Sequence, residues 1–169
     1  LGDTLTEIAG EKAGIIKKAP DDGLVPRDTV AIIAQQEPEA MDVLLRQAVE
    51  ADAAVARQGS EFAVVRRAVA VGGQQIDLQG LGGLYTDIFL PLHGEHQAHN
   101  ASLALAAVEA FFGAGPDKQL DVEAVRDAFA SVTTPGRRTT RATPRSPQRS
   151  SGTPTTATSP TAGCSRRVA

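Results

Sequence analysis

The amino-acid sequence predicts an α/β fold in which parallel strands joined by a helix sit beside a small antiparallel sheet, followed by a C-terminal stretch without a core. Three observations carry this. A short unbroken apolar run at residues 30–34 precedes an amphipathic helical stripe. From Glu61 the apolar period drops to two and crosses a Gly72-Gly73 pair. Beyond residue 137 apolar periodicity stops. Helical periods alternating with short apolar runs indicate βα units, and period-two segments split by glycines indicate hairpins.

Taken in order, Thr4-Leu5-Thr6-Glu7 has the form of a capping box, with Thr4 as N-cap and Glu7 reaching back to it. The helix it opens runs through Glu11, Lys12 and Ala13 and stops at Gly14. Ile15-Ile16 and the basic pair Lys17-Lys18 follow, and Pro20-Asp21-Asp22-Gly23 is a loop signal. Val30-Ala31-Ile32-Ile33-Ala34 then reads as a strand buried on both faces. Pro38 marks a helix start, and Met41, Leu44, Leu45 and Ala48 form one stripe at helical spacing. A short strand at residues 53–56 completes a parallel βα unit.

Phe62, Val64, Val69 and Val71 line the next strand, which turns at Gly72-Gly73 and returns through Ile76 and Leu78. Residues 84–90 supply a third antiparallel strand. The Ala- and Leu-rich segment 97–112 is a helix with Ala101, Leu105, Val108 and Phe112 on its core face, ending at Gly113. Asp121 caps a shorter helix bearing Val122, Val125 and Phe129, and Pro135-Gly136 closes the ordered part.

Composition bounds the function classes. With 41% apolar and 22% charged residues the chain has the makeup of a water-soluble globular protein. No run approaches the roughly 18 apolar residues of a membrane span. Cys164 has no second cysteine to pair with, which suits a reducing, cytoplasmic setting. The overall charge of -3 conceals a division: six arginines and no acid give residues 138–169 a charge of +6 and leave residues 1–137 at -9. Apart from Gln148 and Val168, that tail is built of Arg, Thr, Ala, Pro, Ser, Gly and Cys alone. These residues have codons almost entirely with C or G in the middle, the pattern of a GC-rich gene read out of frame. The expectation is a disordered, out-of-frame tail, and the gene sequence tests it.

Four places are chemically suggestive, and each has a bland reading. Lys12 stands between Glu11 and Ala13-Gly14 at the end of a helix, and its bland reading is a solvated lysine complementing the helix C-terminus. His93, His96 and His99 are the chain's three histidines, and their spacing admits a zinc site, although Gly94 favours a loop entering a helix. Gln97 and Asn100 either cap that helix or offer an amide to a polar ring such as adenine. Pro135-Gly136-Arg137 is an exposed turn or a rigid mount that aims a guanidinium at phosphate. No G-x-x-x-x-G-K-[ST] phosphate loop occurs in the sequence.

Together and in this order these segments are specific. Leu1-Gly2-Asp3-Thr4, Ile8-Ala9, Glu11-Lys12-Ala13-Gly14-Ile15-Ile16, then Leu92 to Asn100 with Gly94, His96, Gln97 and Asn100, and Pro135-Gly136-Arg137 resemble the folylpolyglutamate synthase and dihydrofolate synthase family of the Mur ligase superfamily. The Gly-Gly hairpin and the acidic, Ala-rich helix resemble its actinobacterial members. The resemblance covers residues 1–137 and implies the latter half of a Mur-ligase-type P-loop ATPase domain. It further implies an ATP-dependent ligase that joins a folate carboxylate to the amine of L-glutamate through an acyl phosphate, with ATP and Mg²⁺ as cofactors and a monomeric complete enzyme.

Residue by residue, the resemblance implies a carbamylated Lys12 acting indirectly on Mg²⁺, Asn100 with Gln97 on the adenine side of ATP, and Arg137 at the nucleotide phosphates. It also implies that the phosphate loop and the glutamate-binding domain lie outside this chain, which is then inactive alone. Two other readings are a piece of a cell-wall Mur ligase and a non-catalytic domain with a basic nucleic-acid-binding tail. Against the second, the tail has neither aromatic residues nor lysine.

Overall fold

The computed structural model describes residues 2–19, 29–113, 115 and 118–133. The expected loop at Pro20-Asp21-Asp22-Gly23, the Pro135-Gly136 turn and the tail lie outside them. All the described residues belong to one compact unit, Leu1–Pro135.

The first helix, α1 (Leu5–Ala13), begins on the predicted capping box: Thr4 Oγ1 accepts from the Glu7 N–H at 3.2 Å, while Glu7 Oε2 accepts from the Thr4 N–H at 3.2 Å and the Asp3 N–H at 2.7 Å. Gly14 is its C-cap in ordinary right-handed geometry, with φ -58°. Strand β1 (Thr29–Ile33), helix α2 (Pro38–Glu50) and strand β2 (Ala53–Arg57) form the expected βα unit, and β1 and β2 pair in parallel from Thr29↔Ala53 to Ile33↔Arg57. Pro38 opens α2, where a missing N–H costs nothing.

Burial on both faces of β1 is borne out in part: Ile32 packs on one side against Ala56, Phe62 and Ala106. Ala31 and Ile33 are buried with Ala48 and Ala51 of the α2 side, and Met41 and Leu44 pack around them. Val30, near the start of the strand, remains 37% exposed.

Strands β3 (Ala63–Ala70), β4 (Gly73–Gln79) and β5 (Leu84–Leu90) form an antiparallel sheet in sequence order. The turn sits one residue earlier than predicted. Val71-Gly72 makes it, with Gly72 at φ +82°, and Gly73 already pairs with Ala70. Gly73 is needed for another reason: a Cβ there would lie 2.2 Å from the Leu90 carbonyl oxygen. The predicted core set on β3 is half right. Phe62 is fully buried and Val64 packs on the core, but Val69 and Val71 are exposed. A bulge between Val64 and Arg66 shifts the phase so that Val69 pairs opposite Gln74 on the face of Val64, but beyond it β3 is an edge strand exposed to solvent.

Helix α3 (Glu95–Phe111) starts two residues before the predicted position, behind Gly94 at φ +102°. Helix α4 (Val122–Ala130) is capped as expected, with Asp121 Oδ1 accepting from the Ala124 N–H at 2.7 Å. The main core lies between the sheet and these helices: Ile76, Leu78, Tyr85, Ile88 and Leu90 against Ala98, Ala101, Leu105 and Val125. The predicted core face of α3 is also corrected, since Val108 and Phe112 are exposed. The buried line runs through Ala98, Ala101, Ser102, Leu105, Ala106 and Glu109. Ala106 meets Phe62 and Ala56, so α3 is a wall shared by both sheets. Burying Phe62 alone contributes about 2–3 kcal/mol.

Candidate functional site

In open α/β sheets ligands bind beyond the carboxyl ends of the parallel strands. Here that end faces the first turns of α3. Gln58 follows directly after β2, and its backbone N–H donates to the Ile33 carbonyl at the end of β1, 2.9 Å away. Its side-chain Oε1 accepts from the Gln35 N–H at 3.3 Å. Its Nε2 lies 2.8 Å from Ser102 Oγ, 3.1 Å from His99 Nδ1 and 3.2 Å from the His99 carbonyl. The end of the parallel pair is thus stitched to α3 at the second turn.

On that stitched helix, His96 and Asn100 stand one turn apart on the solvent side, and Gln97 is half-buried on the flank. Neither amide caps the helix. The N-cap is Gly94, without a side-chain hydrogen bond, so the capping reading of Gln97 and Asn100 is set aside. His93 lies in the loop ahead of α3, as Gly94 suggested. His99 is turned inward to Gln58, with Nε2 at 3.7 Å from Glu95 Oε1. Among the described residues no group of three or more His, Cys, Asp or Glu stands where it would hold a metal ion.

Lys12 occupies the last turn of α1, exposed, where its charge complements the helix C-terminus. The chain leaving α1 is anchored elsewhere: Gln47 Nε2 donates to the Ile16 carbonyl at 3.3 Å, and Thr29 Oγ1 to the Lys17 carbonyl at 2.9 Å. No hydrogen bond or ion pair among the described residues joins Lys12 to Gln97 or Asn100. Arg137 lies outside the described residues.

Two charged clusters escaped sequence reasoning. Glu109 is fully buried, and its carboxylate accepts from the Leu81 N–H at 2.6 Å, the Gly82 N–H at 2.9 Å and the Tyr85 hydroxyl at 2.8 Å. The 80–83 loop closes on it because Gly80 has no side chain; a Cβ there would meet Glu109 Oε2 at 2.3 Å. Burial, with the Glu109 hydrogen bond second, pushes the Tyr85 hydroxyl up to about 12. The second cluster centres on Asp77, between two bulges. Arg66 Nε donates to its Oδ2 at 2.6 Å, and the N–H of Asp87, held at φ +57°, donates to its Oδ1 at 2.8 Å. The Arg66 hydrogen bond holds the Asp77 carboxyl below the usual range. A glutamate in a helical core face and glycines flanking Leu81 were the visible signals for the first cluster.

Fold and site together define an α/β protein with a polar helix face at the carboxyl ends of parallel strands, and no described helix is long and apolar enough to cross a membrane. No protein-family model matches the chain. It is 66% identical over 137 residues to the dihydrofolate synthase/folylpolyglutamate synthase of Mycobacterium tuberculosis, a match that covers 81% of this chain and 28% of that protein. The Bacillus subtilis protein of the same description is 33% identical over 138 residues, again covering 81% of this chain and 30% of the relative. The solved structure of Mycobacterium tuberculosis folylpolyglutamate synthase complexed with ADP superposes with a TM-score of 0.73 at 64% identity, covering 81% of this chain and 29% of that one. Over the matched residues the chain is accordingly similar in sequence and fold to part of these dihydrofolate synthase/folylpolyglutamate synthases. It spans under a third of the length of the relatives it matches.

Proposed function

We propose that the chain is a piece of an ATP-dependent ligase that joins a folate carboxylate to the amine of L-glutamate, and that it is inactive alone. In this reading residues 1–137 are the latter half of a Mur-ligase-type ATP-binding domain and residues 138–169 an out-of-frame tail. The observation that carries it is the 66% identity over 137 residues to a dihydrofolate synthase/folylpolyglutamate synthase. That identity favours the folate branch over a cell-wall ligase.

The roles follow from the chemistry of the side chains. Asn100 presents an exposed carboxamide, donor and acceptor at once, which fits the edge of a purine, and Gln97 flanks it. Lys12 has an exposed amine open to carbon dioxide; carbamylation turns that cation into an oxygen anion, the kind of group a hard cation prefers. Arg137 would meet the nucleotide phosphates. ATP, when bound, supplies the phosphoryl group that activates the carboxylate. Among the described residues no group of three or more His, Cys, Asp or Glu is placed to hold Mg²⁺ directly.

The labelled chain titrated with MgADP tests this reading. The side-chain amide signals of Asn100 and Gln97 are expected to shift, and signals that stay unmoved would count against the nucleotide face. Exposure to ¹³C-bicarbonate is expected to label Lys12. Folate-dependent phosphate release by the purified chain would overturn its inactivity.

A further inference from the structure

The Gln58 carboxamide gathers groups from three elements: Gln35 beyond β1, its own position after β2, and His99 with Ser102 on α3. We propose that Gln58 is a positioning residue for the nucleotide-facing turns of α3 and acts through His99, which it holds in the neutral Nε2–H tautomer. The proposal rests on the reading above that the helix face bearing Asn100 takes a nucleobase.

The orientation of the amide is set by partners that have a single role each. The Gln35 N–H only donates and the His99 carbonyl only accepts. Exchanging the oxygen and nitrogen of Gln58 would oppose donor to donor at Gln35 and acceptor to acceptor at His99. Ser102 Oγ uses its own hydrogen on the His99 carbonyl, 2.8 Å away, so it too presents a lone pair to Nε2. An amide nitrogen with no lone pair to offer therefore faces His99 Nδ1 at 3.1 Å. That ring nitrogen must be unprotonated, and the ring hydrogen sits on Nε2, toward Glu95 at 3.7 Å.

Adding a proton at Nδ1 sets two donors against each other and opens the contact. The charged groups facing His99 are Glu95 on its own helix and Arg66 and Arg67 of β3, across the cleft that all four line. Asn100 is the next residue in the chain, so loosening His99 loosens the turn that aims Asn100.

The test uses the full ¹⁵N-labelled chain without nucleotide. Long-range ¹H–¹⁵N spectra are expected to show His99 as a single Nε2–H tautomer, with the exposed His93 and His96 as internal references. Amide-exchange protection over residues 97–102, corrected for intrinsic rates, is expected to fall about three- to tenfold as His99 takes up its second proton. Gln58→Leu is expected to show the lower protection on both sides of that titration. Gln58→Glu, whose carboxylate accepts from a protonated Nδ1, is expected to reverse the pH response. A mixed or Nδ1–H tautomer at His99, or a Gln58→Leu chain with unchanged protection and pH response, would overturn the proposal. If Gln58→Leu does not fold, the tautomer of the unmodified chain decides. None of these readouts involves nucleotide, so they fail or stand independently of the MgADP titration.

Discussion

Alkaline pH should destabilise this protein through one hydroxyl. Tyr85 is fully buried, donates to Glu109 Oε1 at 2.8 Å and accepts from the Leu120 N–H at 3.0 Å. Ionising it in place would strand a phenolate beside a carboxylate, away from water. In the unfolded chain the phenol ionises near its ordinary value of 10, while in the folded chain it is pushed up to about 12. Between those values the unfolded state has released a proton that the folded state still holds. Stability therefore falls as pH rises, by ~1.4 kcal/mol per pH unit across that window. Against a typical domain stability of about 5–15 kcal/mol the loss is readily measured. The assay is clean, because Tyr85 is the single tyrosine and the sequence has no tryptophan. Phenolate absorbance is followed against pH, with and without urea. The native chain is expected to titrate well above the urea-unfolded one, or to ionise abruptly as it unfolds. Coincident titrations in the two conditions would refute the buried Tyr85–Glu109 contact.

Three further outcomes follow from the same structure. Glu109→Gln keeps the volume but turns one acceptor into a donor facing backbone N–H groups, so a loss of about 2–3 kcal/mol is expected in urea unfolding; a change within experimental error would contradict the three-donor cradle. Asp77, with its carboxyl held low by Arg66, contributes stability that is present above the ordinary carboxylate value and lost as pH falls through its lowered folded value. Asp77→Asn is expected to flatten the acid limb of the stability profile and to cost only about 1 kcal/mol at neutral pH, since Arg66 is half exposed; an unchanged acid limb would exclude the pair as its cause. Gly73→Ala brings a Cβ against the backbone of Leu90 and Pro91, at 2.2 and 2.8 Å, which cannot swing aside, and is expected to lower the urea midpoint by about 3 kcal/mol of stability; a wild-type midpoint would show the strand ends free to move.

Features written in local sequence proved legible. The Thr4–Glu7 box, the Asp121 cap and Pro38 at the head of α2 each satisfy or avoid backbone donors within one turn, so a few neighbouring residues suffice to specify them. The parallel βα unit was legible because apolar run, stripe and second run leave few other packings. Errors arose where long-range pairing overrode period. Val69 and Val71 stay exposed at the outer edge of β3, although the bulge at Val64/Arg66 puts Val69 opposite buried Gln74, and α3 turns Ser102 and Glu109 inward while Val108 and Phe112 face out. At the candidate site, Lys12, Gln97 and Asn100 stood out as residues, yet the Gln58 stitch beneath α3 has no signature because its partners are 41 and 44 positions away.

The sequence by itself determined the order and type of elements, the caps, and the segments that carry the family resemblance, since these depend on side-chain chemistry repeated at short spacing. Only the tertiary structure decided which face of α3 is buried, where the hairpin turns, and which polar groups meet at the ends of the parallel strands. The physical reason is that a buried carboxylate or amide is tolerated only when its partners arrive from elsewhere in the chain. Glu109 in its cradle of Leu81, Gly82 and Tyr85, and Gln58 against His99, exist as sites only once the sheets have closed on that helix.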